Sequence, residues 1–240
     1  MTPDTKIEDS IRAESVRIEN EYARRAVEVD ADLYAPWQPG EILLTAERKR
    51  IAATMLHKLG KFPKAGSRCL EVGYGQLGWL ADLLSWRLNE DDLYGIELDA
   101  KRARCAMRAL PGAHLKVGDA TTLPWDDGYF DLIVVSTVFS SMLRRDVRTA
   151  LSAEIDRVLS PGGTVLVYDL AVGNPRNKNL LRVDRGEIRA MFSNYVCHFR
   201  SLSLAPPIGR PIARISWPIA TILSSIPFLR THFLGVLVRN

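Results

Sequence analysis

Four acidic side chains, Glu71, Glu97, Asp119 and Asp169, stand in or beside short apolar runs that end in turns, and their positions define the chemistry open to this chain. Glu71 lies two residues ahead of Gly73 in RCLEVGYGQLGWL, residues 68–80, where an apolar run drops into Gly73, Gly75 and Gly78 and then into helical spacing. Strand, tight loop and helix are expected. Glycine at the first two positions lets the backbone bend and approach a ligand, and Gly78 lets the helix pack close to the strand. A buried parallel strand ordinarily carries Val, Ile or Leu where Glu71 stands. Glu97 follows Gly73 by 24 residues, at the tip of a second strand in LYGIELD, where a carboxylate can accept both hydroxyls of a ribose. Asp119, after the short run His114–Val117, can accept from an adenine amino group while the amide of Ala120 donates to a ring nitrogen. Asp169 and Tyr168 close LVYDL and are the candidate catalytic residues for removing a proton.

Two ligand classes suit a glycine loop of this kind. A dinucleotide brings a pyrophosphate, which favours helix N-terminal amides and is repelled by a nearby carboxylate. S-adenosylmethionine (SAM) brings an ammonium and a sulfonium and no phosphate, so an acid at Glu71 can attract its methionine end, directly or through water. The loop therefore favours SAM as cofactor, with S-adenosylhomocysteine as product.

The elements that must position these groups follow in order. Residues 7–29 read as a polar helix with a thin apolar stripe, an arm that must lie on the body of the protein or on a bound ligand. Residues 1–44 are taken as this helical arm or lid, and 45–240 as one α/β domain with an insertion at 205–230. The run Phe130–Val135 has the continuous apolar character of a strand covered on both faces. Its tip, Ser136–Ser141 with Phe139, should overhang the reacting centre, because α/β sheets hold ligands at the carboxyl ends of their strands. A polar loop over the same rim offers Arg176 and Asn177 as acceptor contacts, since Arg can clamp a carboxylate or phosphate through two hydrogen bonds. Strands over Val196–Leu204 and Phe233–Val238 complete an antiparallel edge pair.

Composition narrows the partners. A formal charge of +4 over 240 residues carries no concentrated basic stripe, so no nucleic-acid partner is expected. Cys69, Cys105 and Cys197 are scattered, and no metal site is expected. The N-terminal residues lack the apolar core of a secretory signal, which points to the cytoplasm. From Met191 onward there is no Asp or Glu, while Arg200, Arg210, Arg214, Arg230 and Arg239 remain. Trp217, Ile219, Ile222, Leu223 and Phe228 lie among those arginines. They are too few to span a bilayer, and three placements stay open: packing on the sheet edge, a homodimer contact, or rest on an anionic membrane surface.

The stretches LEVGYG, YGIELD, VGDATTLPWDDGYFDLIVVSTV and LSPGGTVLVYD, in that order and at ordinary spacing, resemble the class I SAM-dependent methyltransferases of the bacterial small-molecule type, from about Thr45 onward. The resemblance implies a Rossmann-like, doubly wound seven-stranded sheet, mostly parallel with an antiparallel last strand. It places Glu71 and Gly73 at the methionine moiety, Glu97 on the ribose, Asp119 and Ala120 at the adenine, and Ser136 beside the methionine end. Two features depart from it. The third glycine falls at Gly78 instead of position 77, and Phe139, Ser140, Ser141 and Met142 stand where many relatives carry histidine, so no histidine base is expected. The implied activity is O-methylation of a small polar or anionic acceptor; the alternative is a lipid-linked or membrane-surface glycan.

Overall fold

A computed structural model describes residues 3–173 and 177–239. They form one sheet of seven strands: β1 Cys69–Val72, β2 Leu93–Glu97, β3 His114–Val117, β4 Phe130–Ser136, β5 Leu159–Leu170, β6 Tyr195–Leu204 and β7 Arg230–Arg239. The strand order is β3-β2-β1-β4-β5-β7-β6, with β1 to β5 parallel and β7 antiparallel to both of its neighbours. The expected doubly wound sheet with an antiparallel last strand is therefore present. β1 and β2 are buried along their whole length and β4 at all but Asp131 and Ser136, which is why they read as mainly apolar runs and not as alternation.

The strands divide their side chains between two cores. Leu70, Val72, Ile133, Val135, Val165 and Val167 face α5 (Arg145–Val158) and α6 (Arg185–Met191). Cys69, Leu132, Val134, Leu166 and Tyr168 face α2 (Pro39–Lys58), α3 (Leu80–Ser85) and α4 (Ala100–Ala109). Because side chains alternate along a strand, Tyr168 and Asp169 point to opposite faces. The helix α2 runs unbroken through position 44, where the arm was expected to meet the domain.

All the parallel strands end on one rim, and three further segments sit on it. The N-terminal helix α1 (Pro3–Glu28) crosses from the tip of β3 to the loop after β4. Residues 177–183 lie beside it, with the Leu181 amide donating to the Ser140 carbonyl and the Asn179 side-chain amide to Glu21. The β6–β7 connection, the insertion expected at 205–230, carries α7 (Pro206–Ile215) and α8 (Trp217–Ser224). Ser216 ends the first and caps the second, its hydroxyl accepting from the Ile219 amide. Among the described residues no helix is long and apolar enough to cross a membrane.

Candidate active site

The turn after β1 is built for close approach. Gly73 has φ +71°, and a Cβ there would lie 2.8 Å from the Val138 side chain at the tip of β4. Only glycine fits both demands. Gly73, Glu97, Asp119, Ala120 and Ser136 line one cleft of about 660 Å³, open mouth included.

Two carboxylates of the cleft, Glu97 and Asp119, are oriented by backbone amides. Glu97 accepts from the Gly75 amide on one oxygen (2.7 Å) and from the Asp99 amide on the other (3.0 Å). An ionised carboxylate offers about four lone-pair sites, so roughly two remain for the hydroxyls of a ribose. Asp119 is more fully used. One oxygen takes the amide and hydroxyl of Thr121, and the other takes the hydroxyl of Ser15 from α1. About one acceptor site is left for an adenine amino group. A nucleoside with no phosphate fits these donors and acceptors.

Glu71 and Gly75 are placed elsewhere than expected. The Glu71 side chain turns into the α2–α3–α4 face, where one oxygen accepts from the amides of Trp79 and Leu80 at the start of α3 (2.7 and 3.0 Å). Burial drives its pKa up to about 8 against the pull of those amides and of Arg48. It caps a helix and does not line the cleft. Gly78 follows from this, since a Cβ there would meet the Glu71 carboxylate at 2.3 Å. Gly75 lies beside the cleft instead of in it: its amide holds Glu97, and the Arg102 guanidinium fills the space that a side chain would need.

The expected catalytic and acceptor groups do not converge. Tyr168 is buried on the α2 face, hydrogen-bonded to Ser203 and stacked on His232, with burial holding its pKa up at about 12. Asp169 is fully buried on the other face; it accepts from the Ser140 amide, and burial raises its pKa to about 6. It anchors the turn after β4 and does not reach the cleft. Phe139 packs in the core edge-on to Phe192. Asn177 turns its side chain back to the Asn179 amide, and Arg176 lies outside the described residues.

The groups that replace them come mostly from α1. Glu14, Ser15, Ile18 and Tyr22 line the cleft, together with Arg102, Thr137 and Met142. Burial opposes charge on Glu14, but Arg17 and the Leu143 amide outweigh it, and the carboxyl is held below its ordinary range. Arg17 also donates to the Ser141 carbonyl. Tyr22 lies under the Arg102 guanidinium, 4.2 Å from the ring centre. Thr137 has φ +57°, a costly conformation for a β-branched residue, at the tip of β4. A polar helix with a thin apolar stripe gave the signal for an arm; which of its residues meet the cleft is a matter of docking angle.

Known proteins resemble the chain over this same region. Residues 70–167 match the family described as methyltransferase domain. A phthiotriol/phenolphthiotriol dimycocerosates methyltransferase of Mycobacterium ulcerans is 37% identical over 112 residues, covering 46% of this chain and 40% of that protein. A protein-L-isoaspartate O-methyltransferase of Rhodopseudomonas palustris is 34% identical over 126 residues, covering 51% and 52%. The chain thus spans about half or less of these curated relatives. Among solved structures, a putative sarcosine dimethylglycine methyltransferase from Galdieria sulphuraria superposes with a TM-score of 0.62 at 13% identity, covering 93% of this chain and 98% of that one.

Proposed function

We propose that the chain, which matches the methyltransferase domain family over residues 70–167 and shares the fold of solved methyltransferases, is a class I SAM-dependent methyltransferase that methylates an oxygen of a small polar or anionic acceptor entering beside α1. The reading is carried by one observation: carboxylates at the tips of β2 and β3, each fixed by backbone amides, flank a glycine turn with no room for a side chain. SAM supplies a methyl group on a sulfonium, already activated for in-line displacement. What remains for the protein is alignment and the exclusion of water.

The residues around the cleft favour an acceptor that needs little help losing a proton. Asp169 and Tyr168 are sealed away from it, and Glu14 is occupied by Arg17 and the Leu143 amide. An oxygen that is already anionic, such as a carboxylate or an acidic enol, meets that condition. Isothermal titration with SAM tests the first half of the reading, with NADH as the phosphate-bearing control. SAM binding without NADH binding is the expected result, and the reverse would refute it. Mass spectrometry of carboxylate and hydroxyl acceptors incubated with the protein and SAM tests the second half, through a mass gain of one methyl group.

A further inference from the structure

The β6–β7 connection is built inside out. Its buried positions in the small core shared with α2 are Ala213 and Ala220, which pack with Leu43. Five of its large apolar residues face outward: Ile215 is 86% exposed, Ile222 65% and Phe228 84%, and Trp217 and Ile219 are exposed beside them, while Ile212 packs partly against the core. Exposed Trp37, in the segment before α2, extends the apolar surface of this side of the protein.

This exposure belongs to a segment that is firmly held. Arg210 pairs with Glu41 at 2.8 Å and lies over the Tyr34 ring, and Arg214 bonds Gln38. Gly40 meets the backbone of α7 so closely that a Cβ would come within 2.8 Å of the Arg210 Cα. The outward face of α7 and α8 is therefore not waiting to fold back onto the sheet. Its location matters as well. Leu204 pairs with Arg230 and Leu170 with His232, so the connection stands on the rim where β4 and β5 end, the rim that carries the cleft.

We propose that α7, α8 and the Pro227–Leu229 turn dock on the surface of an anionic lipid bilayer, with the cleft rim turned toward the membrane. Helices of 10 and 8 residues are too short to span a bilayer but suit an interfacial position. Trp217 and Phe228 provide the bulky apolar groups such a position uses. Charge selects lipid over a second copy of this chain. The connection contains no acid, Arg214 is bonded to a neutral amide, and Arg230 to the carbonyls of Ser224 and Ser201. A two-fold self-contact through this face would set arginine against arginine, whereas anionic headgroups complement it.

The proposal does not depend on methyl transfer, because docking is read without turnover. Full-length protein is floated with phosphatidylcholine vesicles and with vesicles containing phosphatidylglycerol. Co-flotation with the anionic vesicles, weakened by salt, is expected. The combined variant Ile219→Ser, Ile222→Ser and Phe228→Ser should lose at least about tenfold in partitioning. Arg214→Glu should lose on the order of fivefold or more. The triple variant should keep the wild-type melting temperature, since Ile219, Ile222 and Phe228 face solvent away from the core, and both variants should keep the wild-type SAM affinity, since neither touches the cleft. The proposal is overturned if wild type ignores anionic vesicles, or if the triple variant floats as well as wild type. It is also overturned if ultracentrifugation finds a dimer that the triple variant dissociates, which would put a second copy on this face.

Discussion

The two halves of the cleft are built on different principles. On the β1–β2–β3 side, each functional group is fixed by backbone within its own motif or the adjoining one: Glu97 by the Gly75 and Asp99 amides, Asp119 by Thr121. On the β4–β5 side, contacts join residues more than a hundred positions apart, such as Glu14 to Leu143 and Arg17 to Ser141. The first half presents fixed acceptors to the proposed nucleoside through largely local geometry. The second depends on how α1 docks. Perturbations should separate the halves accordingly.

The largest effect should come from Gly78→Ala, which strikes the local half at its foundation. The new methyl group would meet the Glu71 carboxylate at 2.3 Å, at a backbone φ of +52°. Strain of about 1–3 kcal/mol adds to the loss of the helix cap, and urea melts should show about 3–5 kcal/mol of destabilisation. Wild-type stability would place the Glu71 carboxylate elsewhere.

Next in size is Glu97→Ala. It removes the ribose acceptors and also frees the Gly75 amide, so SAM affinity measured by titration should fall about tenfold to a hundredfold, or about 1.5–3 kcal/mol. Unchanged affinity would break the assignment of this half. The variant should leave the α1 hydrogen bonds to Asp119, Ser141 and Leu143 intact, since none of them involves Glu97.

Legibility followed the same division. The sheet could be read because its buried strands leave apolar runs, and the places of Glu97, Asp119 and the Gly73 turn because strand tips and turns leave compositional marks. Glu71 was misplaced for a physical reason. An acid in a buried strand signals a ligand or a helix cap equally well, and only the turn of the chain at Gly78 brings the Trp79 and Leu80 amides back to it. Tyr168 and Asp169 looked alike as a pair at a strand tip, yet β alternation sends one to α2 and the other under the turn after β4. The lining residues Glu14, Ser15 and Tyr22 belong to a helix whose stripe announces burial but not its partner.

A smaller effect should appear where the halves touch. Ser15 donates to Asp119 beside the one acceptor site left for an adenine amino group, and so competes for the charge of that carboxylate. Ser15→Ala should therefore tighten SAM binding by about twofold to tenfold, the worth of part of one hydrogen bond to a carboxylate. Weaker binding in the titration would instead make Ser15 a support that holds Asp119 in position.

The smallest effect on activity should be that of Asp169→Asn, and it distinguishes an anchor from a base. Asp169 is sealed under the turn after β4, so turnover on any acceptor found should stay near wild type, whereas a residue that removes the acceptor's proton would lose orders of magnitude. Its signature should lie in stability instead. Burial raises its pKa from 3.8 to about 6 in the folded protein, so the folded state holds this proton more tightly than the unfolded chain does. The stability this gives is fully present below about pH 4 and is lost as pH rises through about 6. Asparagine cannot ionise, so urea midpoints of the variant should lack that part of the decline between pH 4 and 6 while keeping the part due to Glu71, which extends to about 8. A variant with the wild-type slope would mean that Asp169 ionises freely, and the packing of the turn against β5 would then have to be reconsidered.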